Sequence, residues 1–346
     1  MYVRDQVLLA QRLDLDRFEL RGEALPLANP VLTGPGGPSA FTVSAAGPVA
    51  YQAGSDEGGP SRLVWFDRGG RQLGSIGEEA GYTSVSLSSD GTRLIAGLYP
   101  PGSITDDFWL FDLARGHPMR FTSTRAHETI AVWSPDDKEI IFGQAPTTGI
   151  PGGLLKRSAD LTFDPTPILQ GLGTIEPLSW SRDGKFLLYS TQRSGVSIVP
   201  LEGDRKPIPL ALPSDVARAQ LSPDGERVAY DSRESGMPEV YVAPRPGHPG
   251  GRIKASLDTG GWPRWSRDGK ELFFLSNEKL MVAAVRGQGS ELQIALPRAL
   301  FEVPHKNFMY GWPYDVSPDG RILVNVRSEQ VPPVTLLVNW PALLKK

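Results

Sequence analysis

No cysteine occurs among the 346 residues. That excludes a disulfide framework, a thiolate nucleophile, Cys-ligated zinc and an iron–sulfur cluster. No run of 18 or more apolar residues is present either, so no segment reads as a membrane-spanning helix. The opening MYVRDQVLLAQRLDLD carries Arg4, Asp5, Arg12, Asp14 and Asp16, which break the apolar core a secretion signal needs. As written, the chain is expected to insert into no membrane and to stay where it is made, or to lie beyond a membrane if it is part of an anchored parent. Charge of one sign is also lacking: 36 Lys plus Arg stand against 39 Asp plus Glu, for a net charge of −3. With no basic run there is no electrostatic footprint for nucleic acid. Histidine is sparse, at His117, His127, His248 and His305. His127-Glu128 lacks the second imidazole of a zinc helix, and no metal ligand set or cofactor is expected.

Turn formers are abundant instead. The 38 Gly and 32 Pro make about a fifth of the chain, where ordinary usage is roughly 12%. Hydrophobic residues at 40% are enough for a core, and the length allows one large or two ordinary domains.

The turns recur with a period. AVWSPDDKEIIFGQ from Ala131, LSWSRDGKFLLYST from Leu178, AQLSPDGERVAYDS from Ala219, PRWSRDGKELFFLS from Pro263 and YDVSPDGRILVNVR from Tyr314 are close copies. FTVSAAGPVAYQAG from Phe41 and VSLSSDGTRLIAGL from Val85 are weaker ones. Their marker serines, Ser44, Ser88, Ser134, Ser181, Ser222, Ser266 and Ser317, are spaced by 44, 46, 47, 41, 44 and 51 residues. Within Ser222-Pro223-Asp224-Gly225, Pro presets φ and Gly takes the positive φ that closes a type I turn. Asp137 stands at the Gly position of its copy, a residue type that tolerates the left-handed region. The repeated Asp90, Asp136, Asp183, Asp224, Asp268 and Asp319 read as turn residues bonding nearby amides, not as ligands.

Each copy reads as two strands around the marker turn followed by a second hairpin, as in DFWLFDLARGHPMRF from Asp107. Four strands per 40 to 50 residues predict an all-β fold, a β-propeller of four-stranded antiparallel blades. Seven markers predict seven blades, with eight as the alternative. One domain over residues 1–346 is expected, residues 1–40 giving strands of an incomplete or closing blade. MYVRDQVLLAQRL aligns on FFLSNEKLMVAAV from Phe273, so residues 1–21 are read as strands rather than helix. The alignment also suggests a piece of a longer chain.

The W-S-x-D-G-K/R element, with Trp133, Trp180 and Trp265 before the marker serine, resembles the WD-like propeller repeats of the TolB family. YVRDQVLLAQRLD, FWLFDLARG, PLEGDRKPIPL and the terminal YDVSPDG…VNW…LKK, in this order, are also similar to the C-terminal propeller region of certain bacterial serine/threonine kinases. That resemblance implies a sensor or interaction module. The kinase's own Gly-rich loop and catalytic Asp loop are absent from the sequence.

Two sites are expected. Antiparallel connections put the marker turns at one end of each blade and the longer loops at the other, and loops on a rigid scaffold usually carry recognition. Tyr82, Glu128, Glu176, Trp262, Tyr310 and Trp312 would ring the channel mouth at the long-loop end. Arg264 and Asp315 occupy equivalent places, two residues before their markers, on consecutive blades. An unpaired charge there would cost several kcal/mol, so they are expected to pair structurally. The resulting reading is a non-catalytic recognition or scaffold propeller with a protein or small-molecule partner. The alternative is a lactonase-like or lyase-like propeller enzyme holding a metal in the channel.

Overall fold

A computed structural model describes residues 1–4, 7–31, 39–44, 47–53, 60–100, 105–191, 195–248, 250–287, 291–303, 311–327, 334–340 and 342. Among them no α-helix occurs. Contacts divide the chain into a larger unit, Ser61–Arg327, and a smaller one, Met1–Pro60 with Ser328–Lys346.

The larger unit is built from six antiparallel sheets of four strands each, two of them sharing one long strand, with Gln293–Ile294 as a short fifth strand on one of the others. Sheet B runs Glu128–Trp133, Glu139–Gln144, Gly153–Ser158, Thr166–Gln170. Sheet C runs Ile175–Trp180, Phe186–Thr191, Gly195–Pro200, Ile208–Pro209, and sheet D runs Ala219–Leu221, Arg227–Ser232, Glu239–Pro244, Ile253–Lys254. Sheet E is Gly261–Trp265, Glu271–Ser276, Lys279–Arg286 and Arg298–Glu302. Strand Gln72–Leu87 serves two sheets. Its second half begins sheet A, with Arg93–Tyr99, Asp107–Asp112 and Pro118–Arg120. Its first half completes sheet F, whose other strands are Tyr314–Val316, Ile322–Arg327 and Ser61–Phe66.

Hydrogen bonds link the first strand of each sheet, or the residues leading into it, to the next. Trp133 Nε1 donates to Ser86 O (2.9 Å), Thr129 Oγ1 to Ile175 O (3.1 Å) and Leu221 N to Ser179 Oγ (3.2 Å). Trp265 N donates to Gln220 Oε1 (2.7 Å), Tyr314 OH to Trp262 O (2.8 Å) and Leu87 N to Asp315 Oδ2 (2.8 Å). The sixth link returns to the first sheet, so the six sheets circle one channel. Apolar clusters fill the spaces between sheets; one joins Phe273 and Leu280 of sheet E to Val64, Ile322 and Val324 of sheet F.

Seven blades in one domain were expected from seven markers. The ring of the larger unit holds six sheets, because the first marker, Ser44, belongs to the smaller unit. There Val49–Gln52 pairs with Phe41–Val43 on one side and with Val334–Leu337 on the other, making a three-stranded sheet of their own. Tyr2–Arg4, Val7–Asp14 and Glu19–Ala28 form another three-stranded sheet, so the N-terminal residues are strands, not helix. Leu8, Val31 and Val49 are the buried centre of this unit.

Candidate functional site

The marker turns form the rim of one end of the channel. In each ring turn the fourth residue donates its N–H to the marker serine's carbonyl at 2.8–3.0 Å. That residue has positive φ, from +59° at Asp137 to +85° at Gly320. Serine Oγ donates to the turn aspartate, as at Ser88–Asp90 (2.7 Å) and Ser181–Asp183 (2.6 Å). The aspartate also accepts an amide two residues on, as from Lys185 (3.0 Å) and Lys270 (3.1 Å). Hydrogen bonds from the turn hold the Asp90, Asp136 and Asp268 carboxyls below the usual carboxylate range; at Asp90 burial opposes them as the largest single influence.

Within this rim lies a cavity of about 290 Å³ walled by residues of all six sheets. Its ionisable lining is Arg182, Arg264, Arg267 and Asp315, with Ser86, Ser179 and Gln220 beside them. Arg264 is 6% exposed, and its Cζ lies 3.9 Å from the centre of the Trp312 ring. Its Nε is 3.6 Å from Asp315 Oδ1, an ion pair beyond hydrogen-bond reach. The Asp315 oxygens accept backbone amides instead: Oδ2 from Leu87 and Oδ1 from Val316. Arg264 Nε and Nη2 are buried with no hydrogen-bond partner among the described residues. A second cavity of about 330 Å³ between sheets C and D shares Arg182, Leu221 and Pro223 with the first, and adds Phe186, Ile198 and Arg245.

Among the described residues, several side chains at the long-loop end pack together. Trp312 is 1% exposed, in one buried cluster with Ile130, Leu178 and Ala219 against which Trp262 packs. Arg218, also buried, donates from Nε to Gly311 O (3.1 Å) and lies 3.4 Å from Glu176 Oε2. Asp231 accepts the amides of Arg218 (2.9 Å) and Trp262 (3.1 Å). Burial pushes the Asp231 carboxyl up, and Arg218 and these amides pull it back. Tyr82 is buried and donates its hydroxyl to Glu78 O (3.0 Å). Glu128 is 2% exposed; Oε1 accepts from Thr124 Oγ1 (3.1 Å), and Oε2 has no partner among the described residues. Burial foremost, with Asp106 and Asp107 adding repulsion, pushes its carboxyl up to about 8.

Of the six expected mouth residues, Trp262 and Trp312 are thus brought to one cluster, and Glu176 faces Arg218. Tyr82 and Glu128 are enclosed near sheets A and B, and Tyr310 lies outside the described residues. Arg218, a buried cation of this end, was missed by the sequence reading. It stands four residues before its marker, as Trp262 does, and that shared offset was the available signal.

Among the described residues no group of three or more His, Asp or Glu is arranged to hold a metal. No helix is long and apolar enough to cross a membrane. No family model and no curated protein matches the chain. Solved structures do. A TolB structure from Agrobacterium tumefaciens superposes with TM-score 0.58 at 15% identity, over 79% of this chain and 99% of that one. TolB from Acinetobacter baumannii gives 0.51 at 18%, over 82% of this chain and 66% of that one. At these identities the likeness is one of fold, and the fold is a TolB-like β-propeller.

Proposed function

We propose that this chain is a non-catalytic recognition propeller that binds a protein partner in the channel cavity at the marker-turn end. One observation carries the reading: this cavity is walled by all six sheets, so a ligand within it contacts the whole ring. It also continues into the groove between sheets C and D across Arg182, a shape that suits an extended segment of a partner. The long-loop end is the weaker candidate, because among the described residues Trp312 and Arg218 are buried there against their neighbours. A metal enzyme is not favoured, because three guanidiniums against one carboxylate line the cavity and would repel a cation. The finer form of the proposal is a sensor role like that of the kinase-associated propellers its segments resemble.

The test places a photo-crosslinking residue at Ser89 or Pro223, which line the cavity, and at Gly149 or Gly173 in the opposite loops. Crosslinks to one defined protein from the first pair, lost when Arg182→Glu and Arg267→Glu are combined, support the reading. Crosslinks only from the second pair overturn the choice of face. Turnover of a small substrate that survives the double change would overturn the non-catalytic role.

A further inference from the structure

We infer that the channel cavity is a carboxylate site, with Arg264 at its centre. The inference rests on the marker-turn end being the binding face and names the chemistry that face selects. Its basis is a count of donors against acceptors. Asp315, the one carboxylate in the lining, has both oxygens engaged by the amides of Leu87 and Val316. Gln220 spends its carbonyl oxygen on Trp265 N, which leaves the amide NH2 as its remaining group. Ser179 Oγ accepts from Leu221 N, which leaves its O–H to donate. Donors are therefore left over. The largest surplus is at Arg264: its Nε faces Asp315 Oδ1 at 3.6 Å, but Nε and Nη2 make no hydrogen bond among the described residues, while the ring of Trp312 holds the guanidinium from one face. Leaving such buried N–H groups unmatched is costly, and a planar guanidinium matches a carboxylate with two parallel hydrogen bonds. Three arginines against one aspartate make the lining positive by two charges (3 − 1). Both the donor surplus and the field favour an anion.

A carboxylate can arrive free, on a small dicarboxylic acid, or fixed, at the end of a peptide. Calorimetric titration of the full chain with succinate, and with one heptapeptide carrying either a free or an amidated C-terminus, separates the two. Saturable binding of succinate, or of the free-acid but not the amidated peptide, that weakens at least tenfold in Arg264→Lys supports the inference. The lysine keeps the charge and loses the planar fork. Preference for the peptide assigns the source to a protein chain end, and preference for succinate assigns it to a small molecule. Arg115→Lys, on an exposed turn of sheet A that lines neither cavity, should leave both affinities unchanged, and thermal melts check that each variant is folded. Unchanged affinity in folded Arg264→Lys, or no saturation by any probe up to 50 mM, overturns the inference. If that happens while partner crosslinks persist at Ser89 and Pro223, the carboxylate class is wrong and the binding face stands.

Discussion

Glu128 shows how one side chain couples the fold to pH. Its ordinary value is 4.5 and burial raises it to about 8, so the folded protein keeps a proton that the unfolded chain releases. The stabilisation is fully present below about pH 4.5 and is lost as pH rises toward 8. Glu128→Gln keeps the shape and removes the titration. Urea unfolding should find it more stable than the parent at pH 8 by about 2–4 kcal/mol, with little difference at pH 4.5. Equal stabilities at pH 8 would show that the carboxyl is not held protonated. Asp137 balances backbone strain against hydrogen bonds. It pays for positive φ (+59°) by binding the amides of Ser89 (2.5 Å) and Asp90 (2.9 Å) in the neighbouring marker turn. Glycine would relax the backbone but remove two hydrogen bonds to a charged group. The bonds outweigh the strain, and Asp137→Gly should lower stability by about 1–2 kcal/mol, measured as a lower urea midpoint at unchanged slope.

At the scale of the element, the junctions between sheets leave little room. A Cβ on Gly143, in the second strand of sheet B, would stand 2.2 Å from both Ile175 O and Thr129 Oγ1. Backbone oxygen cannot rotate away, so Gly143→Ala should cost about 2–3 kcal/mol and lower the melting temperature, with wild-type stability contradicting the packing. The marker turns were legible in the sequence because their chemistry lies in four consecutive residues: a serine, a turn aspartate and a residue that accepts positive φ. Strand alternation and period were legible for the same local reason. What lies across the channel was not. Trp312 meets Arg264 only because sheets E and F are neighbours in a closed ring, and Arg218 reaches Gly311 from sheet D. The Ser44 copy is weaker than the others but has the same strand–turn–strand form, yet its second strand pairs with Val334–Leu337. No local pattern distinguishes that pairing from membership in the ring.

On the scale of the larger unit, closure depends on sheet F, where strands from both ends of Ser61–Arg327 meet. Ser61–Phe66 pairs with Ile322–Arg327 in the register Arg62↔Val326, Val64↔Val324 and Phe66↔Ile322. Without that pairing the six first strands would not enclose a cavity, and the arginines lining it would have no common space to face. Because the chain has no native cysteine, a single engineered pair can report on closure. The most direct measurement is disulfide formation in Arg62→Cys/Val326→Cys under mild oxidation, read by intact mass and by mobility on a non-reducing gel. A closed ring predicts an intramolecular disulfide in nearly every molecule and a higher melting temperature, with far less from the out-of-register control Arg62→Cys/Val324→Cys. Free thiols in the registered pair, or equal crosslinking in the control, would contradict the closed ring and the cavity built on it.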